Sequence, residues 1–362
     1  MKPIYTKIDW YITKKYLGTF FFSILLVMSI AIVFDMTEKM DNFFEHQLTW
    51  SEIFWDYYIN FIPYYLNMFA TLFIFISVIV FTSKMAGDSE IIAMMASGIS
   101  YWRLLRPYLV CAGLLSVAIF FMAGYVIPPA SKKLLIFTDK YVQHFSHSNG
   151  RNLQVQVLPN EVLYMETFQL DNGIGYRASL ENFEGKSLKR RITADRIRHI
   201  EGDHWQMENY TLREFNGLRE TLNQGDRLDL DLPLRPNELF YASQDAEMMT
   251  NTELSDYIDR QRERGGDVTA FQTQYHKRWA SALGAFIMTL LGVTMSSKRI
   301  RGGMGKNLGI GIVLAAGYIL FSTVSTTFAV NGLMSAFMAA WLPNFVFIGI
   351  TDYLYIRAKR RG

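Results

Sequence analysis

The sequence predicts an α-helical membrane protein with six transmembrane helices and an inserted all-β domain. Half of the 362 residues are hydrophobic and only 19% are charged, an apolar load heavy for a soluble chain of this length. The apolar residues gather in long charge-poor runs toward both ends, whereas the middle is rich in charge and turns. Within that middle the hydrophobic period drops to two. The expected organisation is a transmembrane half over 1–138, a β domain over 139–248, then a linker helix and second transmembrane half over 249–362. A net charge of +3, small and scattered, gives no footprint for nucleic acid. The single cysteine, Cys111, lies in an apolar run. It reads as a small core residue, and disulfide frameworks and thiol–metal clusters are excluded.

Runs at 17–34, 57–82, 107–127, 279–296, 308–330 and 333–352 can each cross a hydrocarbon layer of ~30 Å as helices. The second holds Asn60, Pro63 and Asn67. Their polar groups need neighbouring helices, so this span is expected to face protein rather than lipid. Ala280, Ser281, Ala282, Gly284 and Ala285 in the fourth span, with Gly309, Gly311 and Gly317 in the fifth, allow close helix approach within a bundle. No cleavage-like site of small residues follows the first run, which reads as an anchor rather than a removed signal.

Lysine and arginine near the span ends set the expected orientation. Lys2, Lys7, Lys14 and Lys15, then Lys84, Arg103 and Arg106, then Lys298, Arg299, Arg301 and Lys306, and finally Arg357, Lys359, Arg360 and Arg361 all fall on one side of six spans. The first loop on the other side is acidic, with Asp35, Glu38, Asp41, Glu45 and Glu52; Lys132 and Lys133 break the pattern. Both termini are therefore expected inside and the insertion outside.

In the insertion, Leu153, Val155 and Val157 alternate with polar residues. Turn pairs recur at Asn172-Gly173, Glu184-Gly185, Glu201-Gly202, Asn216-Gly217 and Gln224-Gly225. Short alternating strands with such turns predict a sandwich or a roll. Beyond it, Thr250 and Glu253 have capping-box spacing ahead of an amphipathic helix bearing Leu254, Tyr257, Ile258 and Gln261. That helix stops at Gly265-Gly266, and Asp267 caps a helix continuing into span four. The jointed connection is either a lever or a simple linker.

The motifs of enzymes are missing. RGGMGKN (301–307) lacks the early glycine and the Ser/Thr of a phosphate loop. It reads as a basic interfacial loop with Gly305 and Gly309 available for packing. HExxH and GxSxG are absent, and His144 and His147 have no carboxylate support for a metal. Asp35 and Asp352 fall at opposite ends of the bundle, so they form no protease pair. No catalysis and no cofactor are expected. Lys39, Lys132, Lys133, His276, Lys277 and Arg278 fall by topology at the outer boundary. They are either solvated anchors or a binding site for phosphorylated lipid headgroups.

A short helix over 88–97 is expected on the inner side, ~15 Å long and too short to span. Asp88 would cap it, Glu90 would sit in its first turn, and Gly98 would end it. Ile91, Met94 and Met95 share one face, suited either to a separate protein's groove or to the chain's own bundle. The pattern is that of a transport subunit drawing energy from a cytoplasmic partner.

SEIIAMMASGIS (89–100) resembles the signature between spans two and three of the LptF/LptG (YjgP/YjgQ) permeases, membrane subunits of the bacterial lipopolysaccharide-export ABC transporter. IDWYITKKYLGTF (8–20) resembles the family's N-terminal start, and YHKRWASAL (275–283) its entry to span four. The likeness implies a periplasmic β-jellyroll in a Gram-negative inner-membrane protein with cytoplasmic termini. It implies a coupling helix, with Asp88, Glu90, Ile91, Met94, Met95 and Gly98, seated on a cytoplasmic LptB-like ABC ATPase dimer; Glu90 matches the family's coupling carboxylate. A second LptF/LptG-type permease, an LptC-like bridge and lipopolysaccharide complete the implied partners. Residues 27–34 carry no charge where some relatives place basic residues, and Lys39 is the nearest cation. The competing readings are an ABC-like permease for another lipid or lipoprotein, and a membrane-anchored structural or signalling module.

Overall fold

The computed structural model describes residues 6–143, 149–170, 172–217, 219–240, 243–298 and 303–359. Lys2, His144, His147, Arg299, Arg301, Arg360 and Arg361, weighed above, lie outside them. The chain divides into two compact units. One comprises Met1–Val142, Glu247–Asn251 and Gln272–Gly362; the other comprises Gln143–Ala246 and Thr252–Phe271.

The first unit opens with α1 (Lys7–Glu45) and a single turn, α2 (Trp50–Glu52). A π-helical segment, Ile53–Tyr58, leads into α3 (Ile59–Gly87), followed by α4 (Glu90–Ala96). α5 (Tyr101–Phe121) continues through a second π segment, Met122–Val126, into α6 (Ile127–Thr138) and a third, Asp139–Gln143. After the insertion comes α7 (Asn251–Glu263), which past Asn251 belongs to the second unit, and then α8 (Thr269–Ser296), α9 (Gly303–Val330) and α10 (Ala336–Lys359). Among the described residues six helical stretches are long and apolar enough to cross a membrane, as expected. They overrun the apolar runs at their polar ends. At the start of α1, Asp9 Oδ2 accepts hydrogen bonds from Thr6 N at 2.7 Å and Thr6 Oγ1 at 2.9 Å.

Span two faces protein, as its polar residues required. It buries 56% of its apolar stretch within the chain, against 11% for span one. Asn60 is buried and donates from Nδ2 to Asp56 O at 2.8 Å. The π segment that brings it there ends just ahead of Pro63, which can donate no backbone bond. Span one meets the rest of its unit along a single stripe, Ile12, Tyr16, Phe20, Ile24 and Met28. Cys111 is fully buried in the same core.

The small residues of spans four and five only partly behave as expected. Gly284 lies under the Tyr318 ring, where a Cβ would stand 3.2 Å from Cζ. Tyr318 donates to Asn344 Oδ1 at 2.8 Å, and Asn344 Nδ2 donates to Ala280 O at 2.7 Å, so α8, α9 and α10 are clasped by polar contacts. Gly311 instead meets Ile79 of span two, while Gly305, Gly309 and Gly317 have open space at their Cβ positions. The packing expected of Gly305 and Gly309 is not there.

The second unit contains β1 (Asn149–Leu158), β2 (Glu161–Gln169), β3 (Ile174–Glu184), β4 (Ser187–Glu201), β5 (His204–Asn216) and β6 (Arg219–Asp231). They form one antiparallel sheet in chain order. Alternate residues, among them Leu163, Met165, Leu180, Ile192, Trp205 and Met207, are buried on one face together with Leu232 and Leu234. A single sheet whose apolar face is covered by its own residues must curl, which makes it the roll rather than the sandwich. Gly173, Gly185, Gly202 and Gly217 all have positive φ, the turn conformation that glycine adopts without strain. Gln224-Gly225 is different, and corrects the sequence reading. Gly225 lies inside β6 opposite Tyr210, whose ring fills the place of its side chain. The remaining hairpin turns at Asn160, in the left-handed region with φ 66°.

α7 buries Leu254, Tyr257 and Ile258, the predicted stripe. It ends where Gly266 N donates to Gln261 O and Gly265 N to Arg262 O, with Gly265 at φ 77°. Beneath it, Glu238 Oε1 accepts from Arg260 Nε at 3.1 Å, and Arg264 Nη2 lies 2.7 Å from Glu238 Oε2. Asp267 Oδ1 accepts from Thr269 N at 2.9 Å. Bonds from the Thr269 hydroxyl and amide hold its carboxyl below the ordinary range. A lowered carboxyl stabilises the fold above that range and loses the contribution as pH falls through it.

Candidate functional site

The short apolar helix begins later than its sequence suggests. Asp88 closes α3, its amide donating to Lys84 O at 2.9 Å, and so does not cap α4. The chain turns from one helix to the next within two residues, which requires a left-handed conformation. Ser89 adopts it, with φ 62°. Gly98 ends α4 as expected, at φ 87°; its amide donates to Met95 O at 3.0 Å and that of Ile99 to Met94 O at 3.2 Å.

The face picked out for a partner turns inward. Ile91 is 2% exposed in the unit's main core, and Met94 and Met95 pack against that core. Spacing defines an apolar stripe but not what covers it, and here the bundle does. The outward side is Ile92, 56% exposed, with Ala93 and Ala96. Glu90 is half-buried, and both its oxygens lie within reach of the Tyr11 hydroxyl, at 3.1 and 3.0 Å.

A second contact joins the start of α1 to the start of α5. Arg103 Nη1 and Nη2 donate to the two oxygens of Asp9, each at 2.6 Å, and Nη2 also reaches Thr6 Oγ1 at 3.2 Å. Asp9 is 2% exposed. A fork-on-fork pair is the geometry that best offsets burying a carboxylate. Around it, Tyr101 Oη lies 3.3 Å from Ser297 Oγ, Asn307 Nδ2 donates to Ser83 Oγ at 3.0 Å, and the Tyr101 and Tyr355 rings are 5.9 Å apart. The starts of α1, α5 and α9 thus share one end of the unit with the ends of α3, α8 and α10. Sequence reasoning missed the roles of Asp9, Tyr11 and Arg103. The one local signal was the Thr6-x-x-Asp9 capping spacing.

The six basic candidates differ in burial and in the partners they hold. Lys39 is paired with Asp35 and donates to the Tyr57 hydroxyl, which in turn donates to Asp35 Oδ1 at 3.0 Å. Arg278 is 3% exposed and holds the chain in place, donating to Met249 O at 2.6 Å and Asn251 Oδ1 at 2.8 Å. A buried guanidinium needs such acceptors, and here they come from the chain itself. His276 is half-buried, its ring 5.6 Å from that of Phe337. Lys132, Lys133 and Lys277 are exposed cations. Among the described residues no three His, Cys, Asp or Glu side chains group to hold a metal.

Among curated proteins, none matches the chain. The sequence profile described as lipopolysaccharide export system permease LptF/LptG matches residues 10–357, so it runs from the first turn of α1 through α4 and the β domain into the last of the six long helices. The chain therefore belongs to the LptF/LptG family of lipopolysaccharide export permeases.

Proposed function

We propose that this chain is one permease subunit of an ATP-driven exporter, with α4 as its seat for a cytoplasmic ATPase. The observation that carries the reading is α4 itself. It is a separate seven-residue helix fixed on one side by Ile91 and presenting Ile92, Ala93 and Ala96 on the other. Small apolar residues on a fixed helix suit a groove on a partner protein. The lysine and arginine bias supports a cytoplasmic position for this end and a periplasmic one for the β domain. ATP is hydrolysed on the partner, and this chain supplies the path. Lipopolysaccharide enters sideways from the outer leaflet of the inner membrane, between this chain and a second permease, and passes to an LptC-like periplasmic bridge.

Ile92→Lys puts a charge on the outward face without touching Ile91 or the Tyr11–Glu90 contact. It is expected to weaken retention of the ATPase in detergent about tenfold or more, as burying an unpaired charge does at an interface. Equal retention by wild type and variant would remove α4 from the interface. No retention by the wild type would remove the energy source, and with it the exporter reading.

The exposed Lys132, Lys133 and Lys277 are available to headgroup phosphates at once, whereas Lys39 must first leave Asp35. Asp35→Asn is therefore expected to raise the affinity for lipopolysaccharide about two- to fivefold, the scale of a partly solvated ion pair. Titration of fluorescent lipopolysaccharide into the purified complex measures this. An unchanged affinity would mean that Lys39 takes no part.

A further inference from the structure

We infer that Asp9, Tyr11 and Arg103 are positioning residues that carry the motion of α4 into the first span. The inference rests on the docking role of α4 proposed above. Two links tie α1 to α4 and to the start of α5. Glu90, which opens α4, is held by Tyr11, and Arg103, in the first turn of α5, grips Asp9 at two points. Only residues 97–100 separate α4 from α5. Displacing α4 therefore pulls on the first turn of α1 through both links at once.

The links differ in kind. The Arg103–Asp9 fork fixes an orientation as well as a distance, since a guanidinium meets a carboxylate in a single plane. The Asp9 side chain is 3% exposed and that of Arg103 27%, so water reaches the pair from the arginine side alone. Tyr11 shares one hydroxyl between the two Glu90 oxygens, a contact that tolerates small rotations of α4.

α1 is built to pass such a pull along its length. Its 39 residues run without proline, and a helix of that size extends ~58 Å. It buries the smallest share of its apolar stretch among the six spans, so the middle of the rod is the least held by its own chain, while Tyr16 and Phe43 anchor it nearer the ends. Toward its far end stand Asp35 and Lys39, joined to Tyr57 ahead of span two. Tilting α1 strains that clasp. One rigid rod thus connects the docking helix with the cation at its other end.

The test uses the complete transporter with its ATPase and second permease in lipid nanodiscs, and reads ATP hydrolysis and lipopolysaccharide release together. Tyr11→Phe removes one hydroxyl, and Arg103→Lys keeps the charge but loses the fork, so both variants are expected to fold. Both are expected to retain the ATPase and hydrolyse ATP near the wild-type rate. Release per ATP is expected to fall about tenfold in Arg103→Lys, within the range usual for coupled sites, and less in Tyr11→Phe. Exchanging the partners, Asp9→Arg with Arg103→Asp, is expected to restore part of the coupling. Unchanged release per ATP in both single variants would overturn the inference. Loss of ATPase retention in them would overturn it as well, leaving the links as supports of the docking surface. A wild-type complex that holds no ATPase would instead sink the docking reading, and this inference with it.

Discussion

Glu238→Ala is expected to destabilise the β unit by about 3–5 kcal/mol, the cost of stripping one partner from a buried ion pair. The Glu238 and Arg264 side chains are each 2% exposed, with 2.7 Å between Oε2 and Nη2. Arg260 shares the same carboxylate at 2.9 Å. Removing Glu238 would leave two guanidinium groups facing each other, one of them sealed from water. Hydrogen exchange of the β5 amides in the full-length protein measures the effect. Protection should fall about a hundredfold or more, at tenfold per 1.4 kcal/mol. The pair Glu238→Leu with Arg264→Met should recover most of the loss, because exchanging both charges for apolar groups is often nearly neutral. Unchanged protection in Glu238→Ala would show that the cluster adds nothing to stability.

Arg278→Ala is expected to destabilise the membrane unit by about 3 kcal/mol, two charge-assisted bonds being lost at ~1.5–3 kcal/mol each. The guanidinium ties α8 to 249–251, the segment where the chain rejoins this unit after the insertion. Asn251 is itself packed on Gly124, where a Cβ would stand 2.9 Å from its Cγ. Thermal unfolding in detergent is expected to move to lower temperature, with lipopolysaccharide affinity little changed in the protein that stays folded. The opposite pattern, normal melting with lost affinity, would return Arg278 to the headgroup site.

These two residues mark the boundary of what the sequence made legible. Spans and strands were readable because hydrophobic period is a local signal, and four of the five glycine turns followed from chemistry within each turn. Partners distant in the chain left no such trace. Asp9 and Arg103 are 94 positions apart, and Tyr11 and Glu90 are 79. Arg278 read as a free cation because its acceptors lie on 249–251, one of them an unmarked backbone carbonyl, whereas the partner of Lys39 was within local reach, Asp35 lying four residues back on the same helix. Gly225 read as a turn because the ring that fills its place belongs to β5. The face of Ile91, Met94 and Met95 was correctly found as apolar, but periodicity could not say that the bundle itself covers it. The π segments, which aim Tyr57 and Asn60, have no compositional signature.

A helix of seven residues is far below the ~12–15 needed for marginal stability alone in water. α4 exists because Ile91 anchors it and Gly98 closes it. A protein docking there would meet a surface that is already ordered, so its binding energy would not be spent on folding the helix. Association and release could then be fast and repeated with each catalytic cycle, while the shape presented stayed the same.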